Sequence, residues 1–255
     1  MKEVRFFYAP DVLSNSYLSE SESLHAVKVM RLQEGDKLVA ADGKGHLYDC
    51  EIVVASQKKC LVTIFGEKPF TPLIKGKIIL AIAPTKNMDR IEWMSEKATE
   101  VSLSHIIFLS CANSERKILK TERIEKIVVS AMKQSHNAYK PEVTGMTVFG
   151  EFLKKPFHGQ KFIAHCYSPE NVASYMAEKY GNMAFEKDKP FLGDVVDQSD
   201  GDVLTCVGPE GDFSIDEVCE ALLNGFKQVS LGKNRLRTET AGFVATYLMY
   251  LAKRT

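Results

Sequence analysis

Residues 231–242 read LGKNRLRTETAG and join two apolar segments of different length. The segment that precedes them, Gln228–Leu231, is typical of a buried strand, whereas residues 239–252 have apolar side chains at helical spacing. Thr238 stands at the N-cap position of this helix, and Glu239 suits the positive end of the helix dipole. We therefore predict a strand, a basic loop and a capped helix, in that order.

A second strand–loop–helix unit lies just upstream. Residues 208–211 read GPEG and follow the apolar segment Val203–Val207. Ser214 and Glu217 have the spacing of a capping box, which predicts a helix at 214–223. Glycines allow a ligand to approach the backbone closely, and open parallel sheets bind ligands at the carboxyl ends of their strands. A plain tight turn at 208–211 and a basic loop before a capped helix at 231–242 each explain one loop by itself, whereas the occurrence of both favours a ligand site, with a polar, uncharged purine at the second loop.

Strands and helices alternate over the rest of the C-terminal part. Further strands are predicted at Ile78–Ala83, Ile106–Leu109 and Phe162–His165, and further helices at 88–101 and 121–134. This alternation predicts an α/β domain with a mainly parallel sheet. Residues 181–202 read as a long polar connection, which we expect to be mobile.

The first 70 residues have a different pattern. Short strands are predicted at Lys37–Ala41, Leu47–Ala55 and Leu61–Phe65, and a short helix at Ser23–Met30. The first two strands flank the turn Asp42–Gly45, and several short strands joined by glycine turns favour a small barrel. Residues 68–72, KPFTP, break regular structure. We therefore predict two domains, 1–70 and 71–255.

Composition narrows the class of protein. The chain has 255 residues, 45% of them apolar and 26% charged, with a formal net charge of zero, which excludes a disordered or globally basic chain. No apolar run reaches the roughly 18 residues that span a bilayer, and the first residues lack the apolar core of a signal peptide. The six cysteines and six histidines show no metal-ligand spacing. We expect reduced thiols, no metal, no membrane contact and a cytoplasmic location.

Two common nucleotide-binding motifs are absent. No Gly-x-Gly-x-x-Gly follows a strand, and no Gly-x-x-x-x-Gly-Lys-Ser/Thr occurs. A standard dinucleotide-binding enzyme and a P-loop NTPase are therefore disfavoured.

Basic and acidic residues are unevenly distributed along the chain, although the net charge is zero. Residues 71–165 carry 15 Lys and Arg against 9 Asp and Glu, whereas residues 166–255 carry 9 against 14. The basic side chains are densest in the run 116–140, which is a candidate surface for a polyanion. On charge alone, a solvated helix face with interspersed glutamates is the better explanation of this run.

The two loops and several other motifs resemble those of the RsmE-type methyltransferases of the SPOUT superfamily. The loop motifs are Gly208-Pro209-Glu210-Gly211, Phe213-Ser214 with Glu217, Leu231-Gly232 and Leu236-Arg237-Thr238-Glu239-Thr240-Ala241. Further matches along the chain are His25 to Arg31, Gly35-Asp36, Asp42-Gly43 with Gly45, Lys86, Lys97-Ala98-Thr99-Glu100, Gln134-Ser135 and Pro141-Glu142. The sequence departs from the family pattern in three places. Asp212 stands where a third glycine is usual, Ser102 stands where Glu-Leu-Gly ends, and His136-Asn137 occupy the place of an arginine.

The resemblance implies a fold that periodicity cannot show. It implies a SPOUT domain with a deep C-terminal trefoil knot, a PUA-like N-terminal barrel that binds RNA, and a homodimer packed at the knots. The implied activity is transfer of a methyl group from S-adenosylmethionine to N3 of one uridine in 16S ribosomal RNA of the small subunit.

The resemblance also assigns candidate site residues. The expected cofactor-binding residues are Gly208, Pro209, Glu210, Gly211, Leu231, Gly232, Leu236, Arg237, Thr238, Thr240 and Ala241. The expected RNA contacts are Arg31, Lys86, Arg116, Arg123 and Lys133. Because uracil N3 must lose a proton before it can attack, we expect Arg237 to stabilise the developing charge and Glu239 to act as a base or orienting group, with Glu210 as a weaker candidate.

Three alternatives stay open at this point. A non-catalytic RNA-binding protein would share the barrel and the basic run but would not need both glycine loops. A SPOUT enzyme that methylates ribose 2′-oxygens would share the fold. An unrelated α/β enzyme with a nucleotide ligand would show no dependence on RNA.

Overall fold

A computed structural model describes residues 5–181, 185–199 and 201–255 of the chain. The chain forms two compact units. The first contains the chain up to Pro72 together with Val129–Lys140, and the second contains Leu73–Val128 and Pro141–Thr255. Residues 129–140 were predicted to belong to the second domain, but they are grouped with the first unit.

The N-terminal unit is built on a four-stranded sheet with the strand order β1-β2-β3-β4. Its elements are β1 (Phe6–Tyr8), α1 (Glu20–Leu24), β2 (Lys37–Ala41), β3 (His46–Val54) and β4 (Leu61–Pro69). The hairpin of β2 and β3 and the strand β4 occur where the sequence predicts them. The short β1 was missed, and it pairs parallel to β2. The helix begins earlier than predicted, at Glu20, and continues as a π-helical turn over His25–Val29.

Backbone hydrogen bonds hold residues 129–140 against the β2–β3 turn. Gly45 N–H donates to the carbonyl of Ala138 at 3.2 Å, and Lys140 N–H donates to the carbonyl of Gly43 at 3.0 Å. These bonds join segments almost a hundred residues apart, which explains why a boundary at residue 70 does not describe the first unit completely.

The C-terminal unit contains a six-stranded parallel sheet with the order β10-β8-β9-β5-β6-β7. The strands are β5 (Ile78–Ile82), β6 (His105–Ser110), β7 (Glu142–Val148), β8 (Gly159–Ala164), β9 (Asp202–Val207) and β10 (Lys227–Val229). The helices are α2 (Met88–Glu100), the first part of α3 (Thr121–Gln134), α4 (Phe149–Leu153), α5 (Pro169–Tyr180), α6 (Leu192–Val195), α7 (Ile215–Leu223) and α8 (Thr238–Lys253). The predicted α/β fold with a parallel sheet is confirmed.

Side chains of β5 alternate between two apolar layers. Ile78, Leu80 and Ile82 pack into one layer, whereas Ile79 and Ala81 pack into the other. A strand buried on both faces reads as a continuous apolar run, which is why β5 was predictable. The edge strand β7 is only partly buried and contains Gly145, so it lacks such a run.

Part of the 181–202 connection is packed rather than free, contrary to our expectation of mobility. Residues 182–184 and 200 lie outside the described residues. Over 185–199 the chain forms α6, buries Leu192 and Val196, and pairs Phe191 with Ser230 in a parallel bridge.

Two further findings concern the whole of the described chain. All six cysteines are free thiols, and only Cys166 is exposed. Within the described ranges, no helix is long and apolar enough to cross a membrane.

Candidate functional site

A cavity of about 690 Å³ lies at the carboxyl ends of β8, β9 and β10 in the C-terminal unit. Its walls come from the loops after these strands and from the start of α8. The lining residues are Arg90, Ala164, His165, Cys166, Lys189, Val207, Gly208, Pro209, Glu210, Asp212, Val229, Ser230, Leu231, Gly232, Lys233, Asn234, Arg235, Leu236, Arg237, Thr238, Glu239 and Ala241. The structure thus brings together the predicted cofactor residues except Gly211 and Thr240.

The loop between β9 and α7 makes a tight turn at Gly208. A Cβ atom at this position would lie 2.9 Å from the backbone nitrogen of Phe213, so a larger residue would open the turn. The predicted capping box is present. Ser214 Oγ accepts the N–H of Glu217 at 3.2 Å, and Glu217 Oε2 accepts the N–H of Ser214 at 2.9 Å.

The loop between β10 and α8 ends at a helix start without a side-chain cap. Our assignment of Thr238 as the N-cap is wrong, because α8 begins at Thr238 and Arg237 occupies the N-cap position. The Arg237 side chain makes no capping bond. The first N–H groups of α8 therefore face the cavity region with the positive end of the helix dipole. Gly232 has φ of +131°, a conformation that favours glycine.

Asp212, the residue at the position of the usual third glycine, adopts φ of +63°. This left-handed conformation is normally taken by glycine, asparagine or aspartate. The Asp212 carboxylate compensates by accepting the N–H of Phe213 at 2.8 Å and the N–H of Cys166 at 2.7 Å. Ser102, the second departure from a family glycine, also has a positive φ, of +64°. Both departures therefore keep the backbone conformation that glycine would allow.

Glu239 is a buried carboxylate on the cavity wall. It is 7% exposed, and its Oε1 lies 3.7 Å from the Nε of Arg90. Its Oε2 has no hydrogen-bond partner among the described residues. Arg90 is not among the predicted site residues, because it lies on α2, far from both glycine loops in the sequence.

His165 and Lys189 form a second polar wall. Burial, reinforced by the neighbouring Lys189 charge, lowers the pKa of His165 to about 3, so the imidazole is neutral at physiological pH. Burial also lowers the pKa of Lys189. Lys189 Nζ donates to the backbone carbonyls of His165 and Tyr167. The two bonds anchor the 185–199 segment at the cavity and favour a structural role for His165.

Hydrogen bonds tie the loops after β5, β6 and β9 together. Glu210 Oε1 accepts the N–H of Lys86 at 2.9 Å. Arg116 donates to the carbonyl of Thr85 through Nε at 3.0 Å and to the carbonyl of Lys86 through its guanidinium. Asn113 Nδ2 donates to the carbonyl of Gly211 at 3.2 Å. The loop after β9, which lines the cavity, is therefore hydrogen-bonded to the loop that carries Lys86.

The residues predicted to contact RNA have different surroundings. Arg123 Nε lies 2.5 Å from Glu92 Oε1, and Lys133 Nζ lies 2.6 Å from Glu22 Oε1. Arg116 is engaged with backbone carbonyls, as described above. Lys86 is 80% exposed and lies 3.2 Å from the exposed Glu115. Arg31 is exposed in the N-terminal unit. Of these five side chains, those of Arg116, Arg123 and Lys133 contact buried or backbone groups of this chain, whereas Lys86 pairs only with an exposed carboxylate and no partner is recorded for Arg31 among the described residues.

Metal ligands are not grouped in the described part of the chain. No three or more His, Cys, Asp or Glu side chains converge there in a way that could hold a metal ion.

Family models match both units. A model described as "RNA methyltransferase domain" matches residues 72–250, and one described as "RNA methyltransferase PUA domain" matches residues 18–65. Together with the parallel sheet and its cavity, these matches define an RNA methyltransferase that carries a PUA domain. The chain belongs to the RNA methyltransferase family and is of the RsmE type.

Named relatives agree with this assignment. The chain is 29% identical over 251 residues to ribosomal RNA small subunit methyltransferase E of Synechocystis, covering 94% of this chain and 75% of the relative. It is 29% identical over 238 residues to the Bacillus subtilis protein of the same name, covering 89% and 86%.

Solved structures show the same fold. A probable rRNA-methyltransferase from Porphyromonas gingivalis has 36% identity and a TM-score of 0.85, with 98% of each chain covered. Ribosomal RNA small subunit methyltransferase E from Neisseria gonorrhoeae, solved with bound S-adenosyl methionine, has 25% identity and a TM-score of 0.75, again with 98% of each chain covered.

Proposed function

We propose that this protein transfers a methyl group from S-adenosylmethionine to N3 of one uridine in 16S ribosomal RNA of the small subunit. The observation that carries the proposal is the convergence of both glycine loops and the uncapped start of α8 on one cavity. The names of the relatives and the cofactor bound by the Neisseria gonorrhoeae protein support the same activity.

The cavity fits this cofactor in size and chemistry. Its volume of about 690 Å³ lies within the usual range for small-molecule sites. Leu231 and Leu236 offer apolar walls, and the free N–H groups at the start of α8 offer donors. When bound, S-adenosylmethionine supplies an electrophilic methyl group. The residues that would hold it are the predicted ones that line the cavity apart from Arg237, namely Gly208, Pro209, Glu210, Leu231, Gly232, Leu236, Thr238 and Ala241.

We assign the remaining chemistry to Arg237 and Glu239, which both line the cavity. Uracil N3 becomes a nucleophile only when its proton leaves, and the resulting charge spreads to the ring oxygens. Arg237 is exposed at the cavity and would stabilise that charge. Glu239 would orient the base or accept the proton, since one of its carboxylate oxygens has no partner among the described residues.

RNA binding is assigned to both units. The PUA match supports an RNA-binding role for the N-terminal unit. Among the residues expected to contact RNA, Arg31 and Lys86 are the ones we propose, because both are exposed and neither pairs with a buried carboxylate or a backbone carbonyl among the described residues. Contacts to phosphates would make binding weaken as salt is added.

We also propose a cytoplasmic homodimer with a knotted C-terminal domain, as the family resemblance implies. An aromatic face supports the dimer. On α2 and α8, Trp93 is 45% and Tyr247 41% exposed, and the rings of Trp93, Phe243, Tyr247 and Tyr250 lie successively 5.9, 6.1 and 6.1 Å apart. Exposed apolar patches of this kind mark protein interfaces.

The test uses labelled S-adenosylmethionine and small ribosomal subunits that lack this modification. We expect label in the RNA and 3-methyluridine by mass spectrometry of the nucleosides. A 2′-O-methylated nucleoside would indicate different chemistry on the same fold. Binding of RNA without binding of the cofactor would indicate a non-catalytic protein.

A further inference from the structure

Two basic side chains at the cavity mouth take no part in the proposed methyl transfer. Lys233 and Arg235 lie in the loop between β10 and α8, are exposed, and line the cavity. Neither makes an ion pair or a side-chain hydrogen bond within the described ranges. Arg237 follows two residues later, so three cations occupy five consecutive positions in a part of the chain that is acidic as a whole.

No carboxylate among the described residues forms an ion pair with Lys233 or Arg235. Glu239 is buried and lies beside Arg90. Glu210 accepts the N–H of Lys86, and Asp212 accepts the N–H groups of Phe213 and Cys166. Burial raises the pKa of the Cys166 thiol, which lies on the cavity wall. The positive charge of Arg235 offsets part of this rise.

We infer that Lys233 and Arg235 bind the phosphates that flank the target nucleotide. This inference rests on the proposed function. A base that leaves the RNA stack and enters the cavity leaves its neighbouring phosphates at the mouth, where these two cations stand. The basic run 116–140 is denser in charge, but its three members expected to contact RNA, Arg116, Arg123 and Lys133, are engaged with groups of this chain and do not line the cavity.

The test compares the double variant Lys233→Ala/Arg235→Ala with a control of equal charge, Lys117→Ala/Lys120→Ala. Both control lysines are exposed, and neither lines the cavity. Affinity for small subunits lacking the modification is measured from 50 to 300 mM KCl, and cofactor affinity is measured by calorimetry. Loss of two phosphate contacts should reduce the slope of log affinity against log salt by about 1.5 and weaken binding about 10- to 30-fold at 0.1 M salt. The charge-conserving variant Lys233→Arg/Arg235→Lys should have the salt slope and the affinity of the unaltered protein.

Each other result overturns the inference in a distinguishable way. An unchanged slope in the cavity-mouth variant, with a reduced slope in the control, would assign the phosphates to the basic run. A lower cofactor affinity with an unchanged slope would assign the two cations to the cofactor carboxylate. Failure of the unaltered protein to bind or methylate the subunit would overturn the proposed function itself.

Discussion

The carboxylate of Glu210 accepts the backbone N–H of Lys86 at 2.9 Å, across 124 positions of sequence. The bond joins a residue of the cavity to an exposed lysine that we propose as an RNA contact. Arg116 holds the same loop through the carbonyls of Thr85 and Lys86. Presentation of Lys86 therefore depends on the loop that lines the cavity.

Replacing Glu210 tests this dependence. Glu210→Ala removes the acceptor, whereas Glu210→Gln keeps a carbonyl oxygen that can accept the same bond. A hydrogen bond of this kind is worth about 1 kcal/mol, so we expect transfer to fall roughly fivefold in the alanine variant and little in the glutamine variant. Amide hydrogen exchange at Lys86 should be faster only in the alanine variant. Equal exchange rates in both variants would contradict the coupling.

Arg237→Ala tests the proposed role of the guanidinium. If Arg237 stabilises charge only as uracil reacts, methyl transfer should fall by about 100-fold or more, with nearly unchanged cofactor affinity. Single-turnover rates and calorimetry measure the two quantities. Arg237→Lys, which keeps the charge, should lose less activity. An equal loss of transfer and cofactor affinity would make Arg237 a cofactor ligand instead.

The aromatic face predicts the oligomeric state. Trp93→Asp places a charge among Phe243 and its neighbours, so we expect a dimer to dissociate into monomers during sedimentation at micromolar concentration. Ile118→Asp is the matched control, since Ile118 is 77% exposed and has no place in this face. If both variants sediment like the unaltered protein, the dimer does not use this face.

Ser102→Gly should stabilise the fold. Ser102 holds φ of +64°, which costs a non-glycine residue about 1–2 kcal/mol, and the greater freedom of glycine in the unfolded chain offsets part of this. We expect a net gain of up to about 1 kcal/mol in the free energy of unfolding. Ser102→Ala keeps the unfavourable conformation and should give no such gain. Urea denaturation of the three proteins decides between these expectations.

His165 predicts a loss of stability in acid. Because burial lowers its pKa from 6.5 to about 3, the unfolded chain takes up this proton first as the pH falls. The neutral imidazole therefore contributes no pH dependence above about 6.5, and stability is lost from there down to about pH 3. At pH 5 the loss from this group is about 2 kcal/mol. His165→Gln should show a shallower decline between pH 7 and 5, and an identical decline would contradict the assignment.

Short-range pattern was sufficient for much of the fold. The helix predicted at 121–134 occurs as Thr121–Gln134, and the strand Lys37–Ala41 has its predicted bounds. Apolar spacing and capping residues act within a few positions, so they can be read from a single segment. The short β1 and the edge strand β7 were missed, because strand pairing with a distant segment stabilises them more than their own composition does.

The sequence predicted the two loops of the candidate site but not its opposite walls. Both glycine loops carry their pattern locally, so the sequence located the cavity residues from Gly208 to Glu210 and from Leu231 to Ala241. The opposite walls come from Arg90, His165 and Lys189, which lie on other elements.

Neighbouring residues thus specified the helices, strands and loops. Whether a basic side chain is free to bind RNA, however, depended on the folded chain. Lys133 meets Glu22 across 111 positions, while Lys233 and Arg235 meet no carboxylate in the described ranges. Charge density along the sequence did not distinguish these cases, because burial and pairing arise only when distant parts of the chain pack together.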